Sequence, residues 1–160
     1  MLRRAFALFR TDAGTNMVEA AIITPLLLLL TFSIVDFGAI FYIHLALENG
    51  VSQATRYGIT GNEMADPENE GGTLSREDSI KTAMRDATPS LTIEDEAFSF
   101  SHLPAGATTW QNGSGDPGDI IKVRVTYTWP IMTPLVRPFF SDGNIQLAAE
   151  SAMKSESRFE

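Results

Sequence analysis

Apolar and polar residues are spread unevenly along this chain. From Ala20 to Val35 no position carries a charge, and the run Leu26 to Leu30 leaves no room for a polar face. Beyond a lone Asp36, the stretch from Phe37 to Ile43 is again uncharged. A bilayer core needs about 20 such residues at about 1.5 Å of rise each, so the pattern predicts a transmembrane helix rather than the amphipathic helix of a soluble domain. Past Asp36 the period turns amphipathic: Ile40, Leu47, Val51 and Ala54 share one side, with Glu48, Ser52 and Arg56 away from it. One long helix is therefore expected from about Asn16 to about Tyr57, ended by Gly58 and Gly61. Pro25 lies inside it and is expected to kink it or to free a backbone carbonyl, which transmembrane helices tolerate.

The remainder is patterned for a small mixed domain. Residues 61–74 form an acidic, glycine-rich loop. Ser75, followed by Arg76, Glu77 and Asp78, resembles a helix start, and Ile80, Ala83, Met84 and Ala87 recur at helical spacing up to Pro89. From Ala97 to His102 apolar and polar residues alternate as in a strand. Residues 104–118, with two prolines and four glycines, read as an exposed loop. The clearest strand is Ile120 to Trp129, with Ile121, Val123, Val125, Tyr127 and Trp129 on one face and Lys122, Arg124, Thr126 and Thr128 on the other. Pro130, Pro134 and Pro138 interrupt the next segment, although Ile131 to Phe140 is apolar enough to pack; Ile145 to Lys154 reads as a last strand, with a helix as the alternative. The fold class is α+β: a long N-terminal transmembrane helix extending into a small domain with a second short helix and about three antiparallel strands. The organisation expected is a leader at 1–14, the long helix at 15–60 and a small extracytoplasmic domain at 61–160.

Charge orients this scheme. The segment before the apolar run carries Arg3, Arg4 and Arg10 against Asp12, and the next basic residue is Arg56. The positive-inside rule then places the N-terminus in the cytoplasm and the C-terminal part outside it. A cleaved secretory signal would have a shorter core with a small-residue site after it; here the core is longer and the glycine, Gly14, precedes it. A net charge of −8 over 160 residues argues against nucleic acid as a partner, since that needs clustered Lys and Arg. The absence of cysteine removes disulfides, thiolate metal sites and cysteine nucleophiles together.

The segment from Gly14 to Leu30, with its Val18-Glu19 step, early Pro25 and leucine run, followed by Ile34-Val35-Asp36-Phe37-Gly38, resembles the TadE-like pseudopilins of tight-adherence (Flp-type) pilus systems. The N-terminal third carries most of the resemblance; the rest matches in outline only. The resemblance implies a pseudopilin or minor pilin of the inner membrane, N-terminus in the cytoplasm and domain in the periplasm, for incorporation into a surface pilus. It implies cleavage after Gly14 by a prepilin peptidase, leaving Thr15 as the new N-terminus and Glu19 at position five. Its partners would be other pilins and pseudopilins through the N-terminal helix, the peptidase, the inner-membrane assembly platform and membrane lipid. A carboxylate in an apolar, protein-lined setting is costly unless paired, so the amine of one subunit and Glu19 of another can set the axial register of packed helices. The alternative is an uncleaved single-pass anchor displaying a binding domain outside the membrane.

Each candidate has a blander reading. Glu19 suits any helix N-terminus, where the macrodipole favours an acid. Asp36 stands 21 residues past Thr15, roughly 32 Å along a helix, so it reads first as a solvated boundary acid and second as a pairing or registry acid. His44 reads as a satisfied or partly exposed histidine rather than a ligand. Asp116, Asp119, Asp142 and Asn144 lack the spacing of a calcium loop and read as solvated acids and amide. Tyr127, Trp129, Phe139 and Phe140 are expected in core or subunit contacts. There is no nucleophile elbow, zinc-protease motif or phosphate loop, so neither catalysis nor a cofactor nor a metal is expected.

Overall fold

The computed structural model describes residues 12–134 and 136–156. The basic leader residues Arg3, Arg4 and Arg10 and the side chain of Phe139 lie outside that description. Two helices lead the chain: α1 (Asp12–Gly58) and α2 (Arg76–Ala87). Four strands come after them: β1 (Phe98–Leu103), β2 (Gln111–Asn112), β3 (Ile120–Pro130) and β4 (Asn144–Lys154). They form one sheet in the order β2-β1-β3-β4. β1 is antiparallel to β3, from Phe98 opposite Val125 to Leu103 opposite Ile120, and antiparallel to β2. The β3–β4 pair is antiparallel as well: the Ser155 N–H donates to Asp119 O at 2.7 Å, and Arg124 meets Glu150 at 3.6 Å.

The α+β expectation of a long helix, a short helix and about three antiparallel strands holds, and among the described residues the sheet gains one short strand, because Gln111–Asn112 pairs with β1 from within a segment that reads as loop. A two-residue strand has no periodicity to detect, and its turn residues dominate the local pattern. Among the described residues the long helix already includes Asp12, four residues ahead of Asn16. The last segment resolves to strand: pairing to β3 outweighs the helix propensity of its alanines.

The chain divides into two compact units. One holds the described residues up to Ala39 together with Pro130–Asn144; the other holds Ile40–Trp129 and the described residues from Ile145 on. The second unit contains the core. Ile43, Leu47, Val51 and Ala54 of α1 pack with Ile80 and Met84 of α2, with Ile121, Val123 and Val125 of β3, and with Ala149 of β4. Tyr127, Trp129 and Leu147 pack against it, partly buried. Alternation in β3 thus turns its odd-numbered residues inward, as the sequence pattern requires.

Small residues let the helices approach. A Cβ on Gly50 would lie 2.5 Å from Thr88 Cγ2, and one on Gly58 would lie 2.8 Å from Ile80 Cδ1. Rising along α1 therefore means descending along α2, so these segments run antiparallel, with Gly50, Ala54 and Gly58 on one i, i+4 row. Ser75 caps α2 by accepting from the Asp78 N–H at 3.1 Å, and its hydroxyl donates to Asp78 Oδ2 at 2.7 Å. Lys81 adds a contact to Asp78 Oδ1 at 2.9 Å. After α2, Arg85 donates from Nε and Nη2 to Ile93 O, pairs with Asp95 and lies over the Phe98 ring, which ties the turn before β1 to the helix. The end of α1 is held from outside the helix: Arg76 donates to Gly58 O at 2.9 Å, and the Glu156 N–H donates to Ile59 O at 3.0 Å.

Gly50→Ala should destabilise the protein by about 1–3 kcal/mol through overpacking, exceeding the roughly 1 kcal/mol of helix propensity that alanine gains. At Gly38 an added Cβ meets nothing within 4 Å, so Gly38→Ala should be neutral or slightly stabilising. Thermal unfolding of the full chain in detergent, followed by circular dichroism, separates the two; equal shifts would contradict the close-approach account. The Ser75 hydroxyl, and then Lys81, hold the Asp78 carboxyl below its ordinary range, and Arg85 does the same for Asp95. Both carboxylates favour folding in their ionised form. Their contribution is fully present above the ordinary value near 3.8 and is lost as pH falls through the lowered folded values. Asp78→Asn should flatten the acid limb of a pH–stability curve while leaving its shape near neutrality unchanged.

Candidate functional site: an exposed apolar helix and a buried carboxylate

The first unit has no aliphatic core of its own along α1. From Gly14 to Val35 no described side chain is buried, and only Leu29 and Ser33 are even half-covered. Leu26, Leu27 and Leu30 are about 60% exposed, and Phe37 is 70% exposed. Helical hydrogen bonds satisfy the backbone, so a continuous apolar cylinder is presented outward. A soluble monomer does not leave so large an apolar surface uncovered. α1 is long and apolar enough to cross a membrane, and it anchors the protein there.

The candidate residues occupy different stations on this cylinder. Gly14, Thr15 and Glu19 are exposed near its start, within the helix rather than before it. Pro25 lies within the helix and is exposed. Asp36 lies 17 residues beyond Glu19, about 26 Å away along the axis, so the two acids do not form one site.

Asp36 is not the solvated boundary acid that its position first suggests; it is 5% exposed. Its Oδ1 accepts the Met132 N–H at 3.0 Å and its Oδ2 accepts the Thr133 N–H at 2.9 Å. The sequence separation, 96 and 97 residues, explains why no local pattern reveals this contact. Two successive backbone donors meet a carboxylate on both oxygens, a charge-assisted arrangement worth about 1.5–3 kcal/mol per bond. The receiving segment is closed on itself. Ile131 N–H donates to Gly143 O at 3.0 Å, Arg137 N–H to Thr133 O at 3.1 Å, and Arg137 Nε to Ile131 O at 2.8 Å. Short 3₁₀ turns at Arg137–Phe139 and Ser141–Gly143 complete it, with Asp142 at φ 55° and Gly143 at φ 70°. Ile131 and Thr133 are buried while Met132 points outward at 59% exposure. The Pro-interrupted apolar stretch thus becomes a compact loop docked on Asp36.

In the second unit the remaining polar candidates are occupied locally. His44 Nε2 lies 3.3 Å from Glu48 Oε1 and is partly exposed. The half-buried His102 places Nδ1 3.3 Å from Gly113 O and Nε2 4.0 Å from Asp119 Oδ2, which also accepts the Asp116 N–H at 3.0 Å. Asp119 is therefore a buried turn-former rather than a solvated acid. Among the described residues, no group of three or more His, Cys, Asp or Glu side chains could hold a metal ion.

Residues 14–56 match the model of the TadE-like protein family. The matched stretch lies wholly in α1 and includes Gly14, Glu19, Pro25 and Asp36. The match covers the anchoring helix and none of the strands. No curated protein and no solved structure matches the chain.

Asp36→Ala leaves two loop N–H groups without their acceptor and should cost about 2–5 kcal/mol of local stability. Asp36→Asn keeps one acceptor oxygen and should cost less. Hydrogen exchange of the Met132 and Thr133 amides in detergent reads this directly. Protection in the wild type, lost in the alanine variant and reduced in the asparagine variant, is expected; unchanged protection would mean that the carboxylate does not hold the loop.

Proposed function

We propose that the protein is a pseudopilin or minor pilin that takes part in assembling, or is built into, a tight-adherence pilus. The observation that carries this reading is the uncovered apolar helix beginning beside Gly14, with an acid at the fifth position beyond it. In this reading residues 1–14 are a cytoplasmic leader, and a prepilin peptidase cuts between Gly14 and Thr15. The segment 15–60 is then the assembly helix, and 61–160 lies in the periplasm. The basic residues before the apolar run support that orientation. Glu19 is exposed on the helix surface, available to meet the new α-amine of a neighbouring subunit and so set how far two helices slide past one another. Other pilins and pseudopilins, together with an inner-membrane assembly platform, are the partners this geometry serves; a catalytic role is not required by any part of it.

One observation favours the second reading, a permanent anchor. α1 runs without interruption from Asp12 through Gly14 and Thr15, so the bond to be cut lies in helical conformation. A peptidase would have to unwind that first turn, which end fraying makes inexpensive.

Gly14→Leu tests cleavage. A shift of the mature N-terminus from Thr15 back to Met1, seen by mass spectrometry of membrane-purified protein, is expected together with loss from sheared fibres. A wild-type protein that retains Met1 would establish the permanent anchor instead. Glu19→Ala should leave membrane insertion and cleavage intact while removing the protein from fibres; unchanged fibre incorporation would end the registry role.

A further inference from the structure

The loop docked on Asp36 lies at a depth where irregular backbone is rarely tolerated. An unpaired Glu19 is expensive inside hydrocarbon, so the near boundary of the bilayer core falls at or about that residue. A core of about 30 Å then ends roughly 20 residues on, within a turn of Asp36. The Met132 and Thr133 amides, hydrogen-bonded to Asp36, share that level. Non-helical backbone at such a level must have its polar groups satisfied by protein. Much of the loop meets that condition: Asp36 takes two loop N–H groups, and loop carbonyls at Ile131, Thr133, Arg137, Phe140 and Gly143 accept from within the loop. The side chains divide accordingly. Ile131 and Thr133 are buried, whereas Met132 is 59% exposed, and Phe37, next to Asp36 on the helix, is 70% exposed. Arg137, also exposed, stands on the same loop, as a residue that meets lipid phosphate would.

We propose that the loop residues 131–134 and 136–138 are a second membrane contact, seated at the headgroup–acyl boundary of the leaflet farther from Glu19, with Met132 among the acyl chains and Arg137 at the phosphates. The occupant is lipid, because Met132 is exposed on backbone bonded to Asp36, at the level where Val35 and Phe37 of the anchoring helix are also exposed. Asp36 is the positioning residue: it holds the loop at that level and neutralises the loop's amides while they do the same for it. This inference rests on α1 spanning the bilayer and does not depend on pilus assembly or cleavage.

The chain has no cysteine, so single-cysteine spin labels are clean probes. Leu28→Cys and Met132→Cys, labelled and reconstituted in vesicles of phosphatidylethanolamine with a minority of phosphatidylglycerol, report depth through collision with oxygen and with a water-soluble nickel chelate. At Leu28 oxygen should dominate; if it does not, the spanning reading fails, and this inference with it. With Leu28 embedded, Met132 is expected to show several-fold lower nickel accessibility than free label and substantial oxygen accessibility. Adding Asp36→Ala should raise nickel accessibility at Met132 several-fold without changing Leu28. Nickel accessibility at Met132 equal to that of free label overturns the proposal. So does exclusion of both colliders with spin–spin broadening that vanishes on dilution by unlabelled protein, which would identify a second copy as the occupant.

Discussion

A single helix here serves two different solvents. Up to Ala39, α1 offers apolar side chains to whatever surrounds the molecule; from Ile43 on, the same helix is a wall of a packed protein core. The backbone makes no concession to this change, since helical hydrogen bonding runs from Asp12 to Gly58. The change is made by side chains alone. All-round leucine gives way to a one-sided stripe in which Leu47, Val51 and Ala54 face inward and Glu48 and Arg56 outward. Burial of that stripe stabilises the domain, at about 1.5–3 kcal/mol for each large aliphatic side chain, and holds the helix in place from one end.

Because the helix is held at one end, its surface contacts in the domain must be close and specific. Gly50 and Gly58 bring α2 in, and Arg76 and the Glu156 amide bind carbonyls where α1 ends. Helix ends leave carbonyls that need partners, and these come from elements distant in sequence. The end of α1 is thus held by tertiary contacts added to its own closing turn, in which the Thr60 N–H and hydroxyl both donate to Tyr57 O.

Much of this is legible in the residues. The span, the switch to an amphipathic stripe, the Ser75 start of α2 and the inward face of β3 all derive from periodicity, which reflects which side of an element meets its neighbours. What periodicity does not contain is pairing at long range. Asp36 bonded to Met132 and Thr133, and Gln111 paired beside β1, depend on which distant backbone arrives, and no spacing rule encodes it. Asp36 is the instructive case. An acid at the edge of an apolar run suggests water, yet it is buried because two amides replace the water it would have bound. Asp119 repeats the lesson on a smaller scale, since a loop acid that looks solvated accepts the Asp116 amide.

The two acids of the anchoring segment therefore stand in opposite conditions. Asp36 has both oxygens committed within its own chain, so its charge offers little to a neighbouring helix. Glu19 is exposed on an otherwise uncharged apolar surface. In a medium of low polarity the cost of an unanswered carboxylate is large, and it is relieved only by a donor or cation brought to it. A helix with one satisfied acid and one unsatisfied acid has a single place where a partner's charge changes its energy sharply with axial position. Asp36 is thus answered by its own loop, whereas Glu19 is the acid of this segment still open to a donor or cation.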